Sequence, residues 1–400
     1  MSRTAALLLA FLLVVSAPAL STPLSDHSSP EISASVDDDH DTDGPTTLTP
    51  NTTARLTLSE VSAEGRDSVI ADVGANVEFE TDRLDEYHRQ RTFEQRLART
   101  EDADERTDVI ADELNRIDER IVELTRDEQS AYLAYERGEI SERELLRTLT
   151  HVHVEARQLT QTIDFVNRHT QDSRVSEYQV EITKFDSPVR ERVADAFSGT
   201  GDPIDVHVQS SPEGVVLATI DDGTFYREVY RADQRDRDAA QGQSLDQEAA
   251  MERYYPWAWG ATGATSADGR ENYAGLWRMS VSHPHGNLMV FLDTGTERPF
   301  RETQALQISQ LPTEEVVNET TADTQLRVER TYPAGPTFVT VSDNDGPPPA
   351  GTTILVNGEP VVATDADGDA WFIAPERSTY EISMTVGGTE IVTQVVQVQH

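Results

Sequence analysis

A multidomain α+β protein is predicted by three features of this 400-residue sequence. Two long apolar stripes run at helical spacing, a middle region alternates short helices with strands, and about seven short strands close the chain. The expected order is an N-terminal antiparallel helical hairpin or bundle, a central α+β domain and a C-terminal β-sandwich. The boundaries fall at 1–19 (signal segment), 20–53 (acidic tether), 54–173 (short β segment plus helices), 174–312 (α+β) and 313–400 (sandwich).

The first element is an export signal. A positive start at Arg3, an apolar run over 5–15 and the small-residue site Ala17-Pro18-Ala19 follow the order of a secretory leader. The run is shorter than the ~18–20 residues that span a bilayer, although an uncleaved anchor is the alternative. Residues 20–53 are rich in Ser, Thr, Pro and Asp and read as a solvated tether. Within them Asp39-His-Asp41-Thr-Asp43-Gly44 imitates half a calcium loop, but Pro50 stands where the bidentate glutamate belongs. Residues 55–73 hold two alternating segments around Glu64-Gly65 and suggest a hairpin, or a strand that joins the main body.

Helices follow. Residues 77–99 form one, with Phe79, Tyr87 and Phe93 as candidate buried positions. Ile110, Leu114, Ile117, Ile121, Leu124, Ala131 and Tyr135 step by three and four residues, interrupted where Glu128 takes a turn at the seam. Gly138 suits a left-handed cap, and Ser141 with Glu144 forms a capping box for the next helix. That helix repeats the rhythm at Leu145, Leu149, Val152, Ala156, Leu159, Ile163 and Val166. The two stripes predict an antiparallel pair, serving as an interaction rod or as a plain bundle.

From residue 177 the pattern changes. Segment 178–184 (YQVEITK) reads as a strand and 188–197 as a helix with proline in its first turn. Strands follow at 204–209, 214–220 and 224–230, a polar loop at 232–244 and a helix at 245–255. Strands at 276–283 and 287–293 and a helix over 297–310 complete this part. Beyond Pro312 the segments are short strands, with Asn357-Gly358, Asp367-Gly368 and Gly387-Gly388 as turn dipeptides.

Composition bounds the chemistry. No cysteine excludes disulfides, thiolate metal sites and thiol nucleophiles. Acidic residues number 72 against 33 basic, a net charge of −39. That charge argues against gripping nucleic acid or an anionic membrane through a basic face. Lys184 is the single lysine, so the other basic residues are arginine. This combination suits molar salt, where the Debye length falls to about 3 Å and dense carboxylates are tolerated.

Few residues nominate themselves for function. Tyr254, Tyr255, Trp257 and Trp259 concentrate aromatics as a binding platform, or as the plug that seals a helix on a sheet. His283 and His285, in His283-Pro284-His285-Gly286 between two strands, are candidate metal ligands, or the residues of an ordinary turn. Asp365, Asp367 and Asp369 form a second calcium-like string, which equally fits a hairpin turn between neighbouring strands. His151 and His153 lie two apart on a helix and face different directions. Asn51 and Asn318 are glycosylation acceptors at exposed positions. Nucleophile elbows, phosphate loops and metalloprotease motifs are absent from the sequence.

The strings ERGEISERELLRTL, YYPWAWG, VSHPHGNLMVFLD with FRETQ, TYPAGP and DADGDAWFIAP resemble those of uncharacterised exported proteins of haloarchaea. The unit at about 245–310, helix then two strands and the Asp293-Thr-Gly295 turn, resembles PepSY domains. The final strands are similar to immunoglobulin-like or carboxypeptidase-regulatory-like modules. The first resemblance implies lineage and architecture; the second implies restraint of an exported peptidase. The expectation is therefore a non-enzymatic, secreted or cell-surface binding or structural protein. It would need no cofactor apart from possible calcium, and would take an exported or cell-surface protein partner, no nucleic acid and no membrane insertion beyond the signal segment. A peptidase regulator and a metal-assisted hydrolase using His283 and His285 are the alternatives.

Overall fold

Eight strands pair antiparallel into the sheet on which the rest of the chain is laid. They are β1 (Ala63–Val69), β2 (Ile204–Ser211), β3 (Gly214–Asp221), β4 (Thr224–Arg231), β5 (Ala267–Asn272), β6 (Leu276–His283), β7 (Gly286–Asp293) and β8 (Arg298–Gln307). Their order is β1-β2-β3-β4-β8-β7-β6-β5. The computed structural model describes residues 44–47, 49–240, 245–262, 267–272, 275–321, 323–343, 346 and 349–397. The signal segment, the first acidic string up to Asp43 and most of the tether lie outside the described residues. Those described belong to one compact unit.

Alternation along the strands gives the sheet two working faces. On one face, Val206 and Val208 of β2 and Val215 and Leu217 of β3 are buried against helices. These helices are α1 (Val73–Arg99), α2 (Ala103–Glu136), α3 (Glu142–Asn167), α4 (Arg174–Ile182) and α5 (Pro188–Ser198). Every position of both apolar stripes is buried. Asp102 caps α2 by accepting from the amides of Asp104 and Glu105, and the Ser141/Glu144 capping box starts α3. Gly138 takes φ 67° in the turn between them. Phe79 and Phe93 are buried, whereas Tyr87 is exposed and lies beneath the Arg91 guanidinium.

The other face has three covers. α7 (Gln247–Tyr254) and α8 (Pro256–Thr262) follow the four-residue α6 (Arg237–Ala240) and seal Trp277, Met279, Val281, Leu288 and Val290. An extended strap over residues 49–61 crosses the middle, where Leu56 meets Val216 and Val229. The C-terminal region covers the rest through Tyr332 and Ile373, which pack on Ala218, Phe225 and Leu306.

That region is built of strands: β9 (Glu314–Thr321), β10 (Thr324–Arg330), β11 (Pro336–Asp343), β12 (Thr353–Val356), β13 (Glu359–Ala363), β14 (Asp369–Ile373), β15 (Thr379–Val386) and β16 (Thr389–Val396). They form two four-stranded sheets, β14-β11-β10-β9 and β13-β12-β15-β16. Both sheets contribute side chains to a single apolar core that includes Leu326, Val339, Ile354, Phe372 and Ile382. Asn357-Gly358 and Gly387-Gly388 adopt positive φ at both central positions of their two-residue hairpins, as such turns require. No helix among the described residues is long and apolar enough to cross a membrane.

Several local expectations are corrected. Segment 178–184, expected as a strand, lies in α4 and the short 3-10 turn after it. Tyr178, Val180 and Ile182 alternate as in a strand, but Val175, Tyr178 and Ile182 also match helical spacing, and that spacing faces α2 and α3. Residues 297–310, expected as a helix, contain β8, paired with β4 and β7. Of the two alternatives for 55–73, a local hairpin and a strand that joins the main body, the structure has the second: Glu64 and Gly65 lie inside β1, whose partner is the distant β2. The end of the tether is packed: Thr46 pairs with Arg55, the Thr49 hydroxyl donates to the Thr331 carbonyl, and Thr52 and Thr53 are buried. Asp365 to Gly368 does not close a hairpin, because β13 and β14 belong to different sheets.

Candidate functional site

The aromatic cluster divides by depth. Tyr254 and Tyr255 are buried under the sheet, and Trp257 and Trp259 are half-buried around them. The Tyr255 hydroxyl donates to Glu302 Oε2 at 2.8 Å, so its phenol is held in the protonated form by burial and by that carboxylate. Trp257 stacks on His285 with ring centroids 4.7 Å apart and meets His283 edge-on at 5.4 Å. The structure therefore joins the aromatic string to the histidine pair.

The histidines sit on the β6–β7 hairpin, whose two-residue turn is Pro284-His285. Gly286 closes it because a Cβ there would lie 2.0 Å from the Ala305 carbonyl oxygen. His283 Nδ1 accepts from the His285 amide at 3.3 Å. Its Nε2, and His285 Nδ1, are buried without hydrogen-bond partners among the described residues. Burial, with His285 adding to it, lowers the His283 pKa to about 4. Both rings are thus neutral near pH 7. Among the described residues no group of three His, Asp or Glu side chains gathers as a metal site. In the second acidic string the Asp365 carboxylate accepts from the amides of Asp367 and Asp369 at 2.9 and 3.0 Å, inside its own turn. Asn51, at φ 60°, and Asn318, on β9, are both exposed. His153 is buried with Nδ1 against the Phe185 carbonyl, while His151 lies between Asp82 and Glu155.

The strongest electrostatic features were not legible as sites. On the helix face Glu128, Arg190, Glu228 and Arg301 form a closed lattice. Arg190 Nη2 donates to Glu128 and Glu228, each at 2.6 Å, and Arg301 Nη2 to the other Glu128 oxygen at 2.6 Å. Burial pushes the Glu128 carboxyl up, but the two guanidinium groups outweigh it and bring it down to about 2. Arg301 also donates to the Lys184 carbonyl. Lys184 itself is buried, with its ammonium on Glu181 and the Thr125 hydroxyl. On the opposite face Glu302 accepts from the Leu56 amide, Tyr255, Gln304 and Arg227. The available signal was the interruption at Glu128 and the Arg-Glu pairs within YREVY and FRETQ, whose strands turn out to be neighbours.

Beside this second lattice a cavity of about 270 Å³ opens between the sheet, the strap and the C-terminal strands. Arg55, Arg227, His207, Gln209 and Glu376 supply its charged and polar wall; Val216, Phe225 and Ile373 supply the apolar part. Arg55 is buried, lies 3.5 Å over the Tyr332 ring, and its Nε has no hydrogen-bond partner among the described residues. Its Nη2 reaches the Pro333 carbonyl only at 3.4 Å. Glu376 is half-buried and accepts at 3.5 Å from Gln209. Burial raises its pKa, against the opposing pull of Arg55. His207 is held neutral, at about 3, by burial and by Arg66. A guanidinium on a preformed concave surface is a group with which a bound anion would pair.

Three family descriptions divide the chain. Residues 206–312 match a family of unknown function (DUF7094), and residues 314–393 match an archaeal fibronectin-III type-like domain. The latter accords with an immunoglobulin-like C-terminal module. No curated protein and no solved structure matches the chain. Residues 1–202, half of the chain, match the domain of unknown function DUF7096, and the protein belongs to that family.

Proposed function

We propose that the protein is an exported, non-enzymatic binding module of the haloarchaeal cell envelope, with its ligand site in the cavity beside Arg55. One observation carries this reading: a buried guanidinium, Arg55, and a half-buried carboxylate, Glu376, line one formed cavity between the sheet, the strap and the C-terminal strands, with no ion pair between them among the described residues. Such a junction is a preferred place for ligands. Export rests on the leader-like start and on the acidic, almost lysine-free composition. In this reading the α2–α3 pair is an antiparallel hairpin that acts as a spacer, and the two C-terminal sheets form a fibronectin-like sandwich. Calcium has no part in it.

The test is a thermal-shift screen of small molecules and cell-wall fragments in molar KCl, run beside Arg55→Gln. Ligands should raise the melting temperature of the native chain and leave the variant unmoved. Turnover of any substrate in a broad hydrolase screen would overturn the non-enzymatic reading.

Two other readings each have one supporting observation. Two helices followed by the antiparallel strands β5 to β8 within 245–310 are the support for a PepSY-like peptidase regulator, and native co-purification should then recover a peptidase. The unpartnered His283 Nε2 and His285 Nδ1 favour a transition metal with hydrolytic chemistry. Metal analysis after chelator-free purification should then find about one bound ion, lost in His283→Ala.

A further inference from the structure

The cavity beside Arg55 presents charges of both signs. Arg55 and Glu376 line the same space, and no ion pair joins them among the described residues. Each nevertheless feels the other's charge: Arg55 pulls against the rise of Glu376, and Glu376 against the fall of Arg55. Arg55 brings a planar guanidinium donor set, the geometry that suits a carboxylate. Glu376 brings an acceptor whose one close donor is Gln209, at the long distance of 3.5 Å. His207 is neutral at pH 7, and Arg227, which also lines the space, is already paired with Glu302. A mono-anion would satisfy the guanidinium and leave Glu376 facing it; a cation would do the reverse. A ligand with both groups satisfies both walls. The volume of about 270 Å³ is just below the ~300 Å³ at which drug-sized ligand sites begin, which suits a smaller ligand. The apolar stretch from Val216, Phe225 and Ile373 suits a short hydrocarbon side chain.

We infer that the cavity binds a small zwitterion, a free α-amino acid, with its carboxylate on Arg55 and its ammonium toward Glu376. This rests on the proposal above that the cavity is a ligand site.

The experiment is isothermal titration of the full chain in molar KCl with three probe sets. One set is free alanine, valine, leucine and phenylalanine; the second is their N-acetyl derivatives, which keep only the carboxylate; the third is their amides, which keep only the ammonium. At least one free amino acid should bind with 1:1 stoichiometry. Its acetylated and amidated forms should each bind roughly tenfold more weakly or worse. Glu376→Gln should lower affinity for the free amino acid by a similar factor and leave the acetylated form unaffected. Arg55→Gln should abolish both, with near-UV circular dichroism confirming that each variant is folded. Equal affinity for free and acetylated forms would overturn the zwitterion and leave the binding module standing. Failure of all three sets, with a hit from the thermal-shift screen that Arg55→Gln abolishes, would also overturn the zwitterion alone. Failure of both experiments would overturn the site itself.

Discussion

Glu128 shows how a single residue ties the helices to the sheet. It occupies a position where the apolar stripe of α2 calls for a hydrophobe, yet it is almost wholly buried. Its two oxygens are divided between Arg190 of α5 and Arg301 of β8. Removing one member of such a buried set strands the others, so Glu128→Ala should cost about 3–5 kcal/mol in denaturant unfolding. The interruption of the stripe was legible; the partners were not, because a carboxylate on a helix says nothing about which distant arginines will fold against it. Two histidines make the protein sensitive to acid. His207 and His283 are held near 3 and 4 in the folded chain, whereas in the unfolded chain each titrates near ~6.5. As pH falls below that value the unfolded state takes up protons that the native state refuses, so stability should decline from about pH 6.5 toward 4. Glu302 and Glu376, both raised by burial, act in the opposite sense as pH falls toward their unfolded value. Comparing melting temperatures of His207→Gln and the native chain across this range isolates the histidine, and the variant should show the shallower decline.

Elements were readable where one face alone is apolar. The stripes of α2 and α3 hold their period over many turns, and every stripe position is buried. β8 escaped because both of its faces serve polar lattices. Arg301 and Thr303 lie toward the helices, and Glu302 and Gln304 toward the strap. A strand of Arg, Glu, Thr and Gln carries helix-favouring residues, and only pairing to β4 and β7 fixes it. The cavity was hidden for a related reason: its lining comes from the strap, β2, β3, β4 and the C-terminal strands, segments far apart in sequence. The β6–β7 hairpin, by contrast, was visible in Pro284-His285-Gly286. Gly286 holds φ 146° with the Ala305 carbonyl where a Cβ would go. Gly286→Ala should therefore destabilise the chain by about 2–4 kcal/mol in thermal or denaturant melts.

At the scale of the whole molecule, the charge of −39 and the buried lattices respond to salt differently. Repulsion among exposed carboxylates reaches about 10 Å at 0.1 M salt and about 3 Å at 1 M. The lattice around Glu128 is shielded from solvent and pairs two carboxylates with two guanidinium groups. The melting temperature should thus rise steeply with KCl in the native chain. Glu128→Ala should shift that curve down without changing its slope.

Lys184 places the chain's only side-chain amine in the interior, on Glu181 and Thr125. The folded surface therefore offers no lysine to acylation, ubiquitin-like conjugation or amine-reactive cross-linkers. A partner that docks on this protein will not be captured by bis-succinimidyl reagents through its lysines. Carbodiimide coupling through the abundant carboxylates is the chemistry the surface permits.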